Sequence, residues 1–379
     1  MTIRQQFILL VSLTLVIPAF SQNEYVLGKY LSKMSISTQE DDPAARLEFM
    51  KLKYQNPKLG KIPEYIRENE LRYYDNSLSV KNTKSRVTNN LSGWVNRGPF
   101  NVGGRTRALA IDVSNEDNIL AGGVSGGMWR STNGGQSWIK TTGSNELQSV
   151  TGIAQDTRNG QTNVWYYITG EYSGNSASGS GSFYIGDGVF KSTDGGESWS
   201  LLSSTSTEGP EQWNATFEIN HEIVVDPTSG NVIVANYFGL YTSTDGGASW
   251  SQTYNNSNGA WSDVAIGPDG DAFAYLSTVG VVKSVDGGIT WTDISSANFP
   301  SYASGDRGEL AVSESNTDVI YLLAENSSHS SGHALWRYDD SSGTWEDRSG
   351  NIPQEGGLTG DFNSQGGYDL LIKVKPDDE

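Results

Sequence analysis

The chain has 379 residues, with 44 Gly, 11 Trp, 18 Tyr and no Cys, and a formal net charge of −18. The lack of cysteine excludes thiol catalysis, cysteine metal sites, disulfides and a lipidated N-terminal Cys, and the length is enough to bury a core without such staples. Residues 1–100 carry a net +5 and residues 101–379 a net −23, so the body repels phosphate backbones and nucleic acid is excluded as a partner.

In chain order, residues 1–21 read as an export signal. Arg4 supplies a positive start, Phe7 to Ile17 is an 11-residue apolar run, and Ala19-Phe20-Ser21 places small residues before a cleavage point at Gln22. That pattern marks a secretory leader. The run is too short to span a bilayer, which needs about 20 residues, and no other segment is long and apolar enough.

Residues 22–93 form a helical leader and linker. Asp42 is a suitable N-cap with Pro43 at the first helical position, and Leu47, Met50 and Tyr54 follow at helical spacing. Pro63 opens a second helix with Ile62, Tyr65, Ile66 and Tyr73 on its apolar side, and Asn76 to Asn90 is a polar linker. The segment is either a strap or a pro-segment, and its basic charge suits packing on the acidic body.

From Trp94 the pattern is strand–turn, and one short phrase recurs. It reads STNGGQSW at Ser131–Trp138, STDGGESW at Ser192–Trp199, STDGGASW at Ser243–Trp250 and SVDGGITW at Ser284–Trp291, with a worn copy at Tyr338–Trp345. The box tryptophans fall at 138, 199, 250, 291 and 345, at intervals of 61, 51, 41 and 54 residues. Asp-Gly or Asn-Gly between β-like runs is a hairpin signal, because the turn needs positive φ. The carboxylate or amide accepts hydrogen bonds inside its own turn, and the Trp covers it and begins the next strand. Asn133, Trp138, Asp194, Trp199, Asp245, Trp250, Asp286 and Trp291 are therefore read as structural.

A repeat of this length built from short strands predicts an all-β propeller of four-stranded blades over residues 94–379. The strands fall near 105–112, 119–124, 127–132 and 137–142 in the first blade, and near 150–156, 163–170, 187–192 and 198–203 in the second. They fall near 219–226, 231–236, 239–243 and 249–254 in the third, and 261–266, 271–276, 280–284 and 290–294 in the fourth. The fifth uses 307–313, 318–324, 333–338 and 344–348. A first strand of a sixth blade, Tyr368 to Lys375, is expected before Glu379. Radial sheets need closure, so the pattern implies an incomplete propeller and a piece of a longer chain.

The boxes resemble the Asp-box, or BNR, repeat, over roughly Trp94 to the end of the chain. That family set includes sialidases, xyloglucan-cleaving glycosidases, sortilin-type receptor propellers and a photosystem II assembly factor. Gly98 to Asp112 and Ala121 to Arg130 look closer to large secreted bacterial Asp-box proteins. Those often carry a C-terminal sorting domain, for which there is no counterpart here. The resemblance implies that box turns face away from the functional side, so ligands meet the opposite loops. These include Glu171 to Asp187, Ser204 to Phe217, Tyr237 to Gly239, Asn255 to Trp261, Ser295 to Arg307 and Glu325 to His333.

Long loops on a rigid scaffold suit binding. Trp213, Tyr237, Phe238 and Trp261 are candidates to stack on sugar rings or grip a peptide, with Glu171 and Arg307 beside them; they can equally serve as blade-top cover. Aligning the inner strands places Glu222, Asp263 and Glu309 at one equivalent position near the axis. Neighbouring carboxylates can form an acid–base pair for glycoside hydrolysis, hold a cation, or organise water. His221, beside Glu222, reads as a satisfied interior residue.

Two enzyme motifs depart from the family pattern. Sialidases use an arginine trio with an R-I-P opening, but Gly104-Arg105-Thr106-Arg107 lacks Ile-Pro, and only Arg105, Arg107 and Arg307 stand out as candidates. The xyloglucan-cleaving family has a catalytic Asp where this chain has Val124. No Ser-His-Asp signal, phosphate loop, metal-ligand cluster or cofactor motif is present. The expectation is a secreted, non-catalytic, sialidase- or sortilin-like propeller binding an extracellular polysaccharide or protein, with no cofactor, metal or membrane span. The alternative is a glycoside hydrolase using axial carboxylates, and a third reading is a receptor-like channel for a peptide.

Overall fold

The computed structural model describes residues 55, 56, 58, 60, 61, 105–143, 149–172, 184–207, 216–256, 261–295, 307–326, 332–352, 362, 364 and 370–377. The chain divides into two compact units, Met1–Ile66 and Arg67–Glu379. In the first, the described residues form one tight turn in which Asn56 and Lys61 pair as an isolated antiparallel bridge. The export signal and the two leader helices lie outside the described residues.

The second unit is built from antiparallel sheets. Blade one contains β1 (Thr106–Asp112), β2 (Asn115–Gly123), β3 (Gly127–Ser131) and β4 (Ile139–Lys140). Blade two contains β5 (Val150–Gln155), β6 (Trp165–Thr169), β7 (Val189–Ser192) and β8 (Ser200–Leu201). Blade three contains β9 (Asn220–Val225), β10 (Val232–Asn236), β11 (Gly239–Ser243) and β12 (Ser251–Asn255). Blade four contains β13 (Ser262–Ile266), β14 (Ala272–Leu276), β15 (Gly280–Ser284) and β16 (Thr292–Asp293). Blade five contains β17 (Gly308–Val312), β18 (Val319–Glu325), β19 (His333–Asp339) and β20 (Thr344–Asp347). Each blade is a four-stranded sheet whose strands pair in sequence order. The inner strands β1, β5, β9, β13 and β17 are successive neighbours. This is the expected propeller architecture.

Blades are glued face to face by apolar side chains. Trp165, Tyr167, Phe190 and Trp199 of blade two pack on Ala108, Leu120 and Met128 of blade one. Phe273, Tyr275 and Val281 of blade four pack on Leu310, Ile320 and Leu322 of blade five. Each large apolar chain buried this way stabilises by roughly 1.5–3 kcal/mol. Blade one is unlike the others on its far face. Trp129 and Trp138 are each 38% exposed, whereas their blade-two counterparts Phe190 and Trp199 are 3% and 8% exposed.

The boxes behave as self-contained turns. In the second, Ser192 Oγ donates to Asp194 Oδ1 at 2.6 Å and the Gly196 N–H donates to Ser192 Oγ at 2.9 Å. The N–H of Ser198 donates to Asp194 Oδ1 at 2.9 Å. Gly196 has φ +81°, and a Cβ there would also lie 2.7 Å from Leu120 of blade one. Four box tryptophans were expected to begin the outer strands, but Trp138, Trp199, Trp250 and Trp291 each precede their strand by one residue. The indole bends back instead: Trp138 and Trp291 donate to the carbonyls of Gly135 and Gly288 in their own turns. The outer strands of blades one, two and four keep only two residues, fewer than expected.

One position links each blade to the next, the residue three after the box Trp, namely Thr141, Leu202, Thr253 and Ile294. Trp199 Nε1 donates to Thr141 Oγ1 at 3.1 Å, Trp291 to Thr253 Oγ1 at 3.2 Å and Trp345 to the Ile294 carbonyl at 2.9 Å. Leu202 has no side-chain acceptor and its carbonyl accepts from the Thr205 N–H at 2.9 Å; it packs in the same cluster as Trp250, whose Nε1 has no hydrogen-bond partner among the described residues.

The described residues of the expected sixth inner strand, 370–375, form no strand. From Leu370 to Lys375 burial alternates residue by residue, and Leu370 and Ile372 pack with Leu323 and Leu335 of blade five. Among the described residues no neighbouring strand supplies the hydrogen bonds that would make it part of a sheet.

Candidate functional site

Strand direction fixes which residues share an end of the blades. The inner strands start, and the second strands finish, at the end opposite the boxes. Tyr237 and Phe238 turn β10 into β11, Trp261 precedes β13, Arg307 precedes β17, and Glu171 and Tyr172 follow β6. The loop face therefore gathers residues from blades two to five.

They meet as one aromatic cluster. The ring centroids of Tyr172 and Trp261 are 5.2 Å apart at 85°, and those of Tyr172 and Tyr237 are 5.4 Å apart. Tyr237 packs on Phe238 at 5.3 Å, edge to face. The Arg307 guanidinium lies 5.0 Å from the Trp261 ring centre, a cation–π arrangement with the cation desolvated. Trp261 is buried, and Phe238, at 36% exposure, is the most solvent-facing ring of the group.

His221 belongs to the same cluster, 5.0 Å from Trp261. Its Nδ1 accepts the Ser262 N–H at 3.2 Å and contacts Ser262 Oγ at 3.0 Å. Burial first, then the charges of Arg307 and Arg107, push its pKa down to about 3, so the ring is neutral. With Nδ1 accepting, the proton sits on Nε2, which has no hydrogen-bond partner among the described residues. The expectation of a satisfied interior histidine is corrected on that nitrogen.

Below the rings lies a layer of buried charge. Arg105 and Arg107 face Glu171 at 3.6 and 3.7 Å. Burial and the nearby Arg307 charge hold the Arg107 pKa below its ordinary value. Glu222, Asp263 and Glu309 are brought together as the strand alignment predicts. The Glu222 carboxyl is pushed up to about 7, by burial first and by the Glu309 charge, against an N–H from Ile223. A Cβ on Gly152 would lie 3.1 Å from Glu222 Oε1, so that glycine makes room for the carboxyl. Asp263 is pushed well above the usual carboxylate range by burial, then by the charges of Glu309 and Glu222, although the Leu310 N–H donates to it at 2.6 Å. Glu309 is gripped by Arg307, whose Nε donates to Oε1 at 2.7 Å.

Of the predicted ligand-face residues, Glu171, Tyr237, Phe238, Trp261 and Arg307 converge, and Trp213 lies outside the described residues. Tyr172 and the His221 Nε2–H are additional, and Arg107, one of the three candidate arginines, joins them beside Glu171. Arg107 was legible as one of two arginines at period two in the first inner strand. Tyr172 follows Glu171 in a loop and carries no pattern of its own. Among the described residues no group of three or more His, Asp or Glu side chains is placed to hold a metal ion, so the cation reading of the axial carboxylates has no supporting geometry. Val124, at the position of the xyloglucan-cleaving family's catalytic Asp, is buried in a turn.

No known protein-family profile matches the chain. A curated protein called xyloglucanase, from Paenibacillus sp, is 24% identical over 233 residues; the match covers 52% of this chain and 22% of that relative's length. Among solved structures, an ancestral GH74 enzyme is 21% identical with a TM-score of 0.47, covering 64% of this chain and 32% of the other. A GH74 enzyme from Niastella koreensis has the same identity and TM-score, with 38% of its chain covered. The strands themselves place this chain among all-β proteins built from propeller blades.

Proposed function

We propose that this is an exported Asp-box-type propeller that binds an extracellular polysaccharide through its loop face, without catalysis. The observation that carries the reading is the convergence of Tyr172, Tyr237, Phe238 and Trp261 beside Arg307. Aromatic rings supply apolar faces for the C–H side of a sugar, and the flanking polar groups meet its hydroxyls. A protein ligand on the same face is the other form of this reading. The test is a glycan array probed with the unaltered protein and with Tyr237→Ala and Phe238→Ala. Retention of a polysaccharide that both variants lose supports the reading, and no retention overturns it.

A specific observation favours a second reading, glycoside hydrolysis. Glu222 keeps its proton near neutrality while Glu309 is paired with Arg307. A buried carboxyl with a raised pKa beside a second carboxyl is what a general acid and its partner base or nucleophile require, at separations of about 5–10 Å. The relative named xyloglucanase makes xyloglucan the substrate to try. Release of reducing ends that Glu222→Gln abolishes, with binding retained, would replace the first reading with the second.

A further inference from the structure

Four blades close the loop-face end of their third strand in one way. A Ser or Thr hydroxyl beyond the outer strand accepts a third-strand N–H: Met128 to Thr142 at 3.2 Å, Val189 to Thr205 at 3.0 Å, Val281 to Ser295 at 2.9 Å and Leu335 to Ser349 at 3.1 Å. Thr142, Ser295 and Ser349 stand four residues after their box tryptophans, and blade three has Tyr254 there. Tyr254 has no hydroxyl on its Cβ, and blade three continues its ladder instead, pairing Leu240 with Tyr254 and Gly239 with Asn255. The outer strand β12 is five residues long as a result.

The longer strand delivers Asn256 to the loop face. Its N–H donates to the Phe238 carbonyl at 2.9 Å, and its Oδ1 accepts from Thr278 Oγ1. Its Nδ2 is buried and has no hydrogen-bond partner among the described residues. Next to Thr278, Ser277 is also buried, its hydroxyl without a partner among the described residues, while its N–H donates to the Trp261 carbonyl at 3.0 Å. A buried amide or hydroxyl with no partner costs about 1–3 kcal/mol, so such groups mark places where something else completes the bonds. Both sit one residue or one hydrogen bond away from the aromatic cluster.

We propose that Asn256 Nδ2 and Ser277 Oγ form a hydroxyl-binding subsite at the junction of blades three and four, which takes a neutral sugar ring stacked on Phe238. This rests on the polysaccharide reading above and narrows it to an uncharged sugar. The amide donates to one hydroxyl oxygen, the serine accepts from or donates to its neighbour, and none of Phe238, Asn256, Ser277 and Thr278 carries a charge.

The test is calorimetric titration of the 379-residue protein with neutral cello- and xyloglucan oligosaccharides and with polygalacturonate, for unaltered protein, Asn256→Asp and Ser277→Ala. Asn256→Asp keeps the acceptor for Thr278 and removes the donors, and Ser277→Ala deletes a hydroxyl with no protein partner. The expected result is binding of a neutral oligosaccharide that each variant weakens about 3- to 10-fold, with melting of Ser277→Ala unchanged and Trp261→Ala binding nothing. Equal affinity in unaltered protein, Asn256→Asp and Ser277→Ala overturns the subsite while leaving the polysaccharide reading intact. Preference for polygalacturonate overturns the neutral-sugar assignment. Absence of any glycan binding by the unaltered protein overturns both.

Discussion

The indole N–H of Trp199 donates to the hydroxyl of Thr141, a residue of the preceding blade, and this is the only hydrogen bond the structure gives that indole among the described residues. Thr141→Val keeps the shape and removes the acceptor, so it should destabilise by about 1–3 kcal/mol. Thr253→Val should cost less, because Trp291 Nε1 also reaches the Gly288 carbonyl at 3.1 Å. Urea unfolding of the two variants checks the order; equal costs would show that the inter-blade bond is not what matters.

Blade one carries Asn133 where the next three boxes carry Asp. Asn133 Nδ2 donates to Ser137 Oγ at 2.9 Å, whereas Ser249 Oγ donates to Asp245 Oδ2 at 2.6 Å. Asn133→Asp reverses the first bond and makes it charge-assisted. A gain of no more than ~1 kcal/mol at pH 7 is expected, given partial exposure. A melting temperature that rises at pH 7 and not at pH 2.5 is the supporting outcome.

The box carboxylates predict acid sensitivity. Hydrogen bonds from Ser249 hold Asp245 at about 2, and Asp194 is also held at about 2 because its serine bonds outweigh burial. A folded-state pKa below the unfolded value stabilises above the unfolded pKa and is lost as pH falls through the folded one. Stability should therefore drop between about pH 4 and 2. Replacing Asp245 with Asn should flatten that limb in acid titrations followed by circular dichroism.

Glu222 works in the opposite sense. Its folded-state pKa, about 7, lies above the ordinary value of 4.5. The folded chain then binds a proton that the unfolded chain has lost, so stability declines as pH rises from about 4.5 to 7. Glu222→Gln should remove this decline and raise the urea midpoint at pH 8. No difference in slope between variant and parent over pH 5–8 would show that the group titrates normally.

Gly152 faces the same carboxyl. An added Cβ would lie 3.0 Å from Ile168 Cδ1 and 3.1 Å from Glu222 Oε1. Gly152→Ala should destabilise by about 1–3 kcal/mol through overpacking. It should also move the decline between about pH 4.5 and 7 assigned to Glu222, which a variant elsewhere in β5 should not.

Much of the propeller was legible because the box turn is local. Ser192, Asp194, Gly196 and Ser198 satisfy one another within seven residues, so the chemistry that fixes the turn is written contiguously. The inner strands were legible from Val225-Asp226-Pro227, Ile266-Gly267-Pro268 and Val312-Ser313, and with them the alignment of Glu222, Asp263 and Glu309. Outer strands were overestimated because nothing local shows that Trp138 and Trp291 turn back on their own carbonyls. The aromatic cluster was half legible. Tyr237 and Trp261 stood out as loop aromatics, but the seat of Tyr172 against them depends on how blades two, three and four pack. The effect of Tyr254 emerges only when blade three is laid over its neighbours.

The uncovered side of blade one has a practical consequence. Leu109, Ile111, Trp129 and Trp138 present a broad greasy strip on a chain whose net charge otherwise keeps copies apart. Adding salt screens that repulsion without weakening the strip, so concentrated samples should self-associate on going from dilute to molar sodium chloride. Replacing Trp129 and Ile111 with lysine should keep such samples monodisperse in light scattering, which is the practical route to handling this polypeptide.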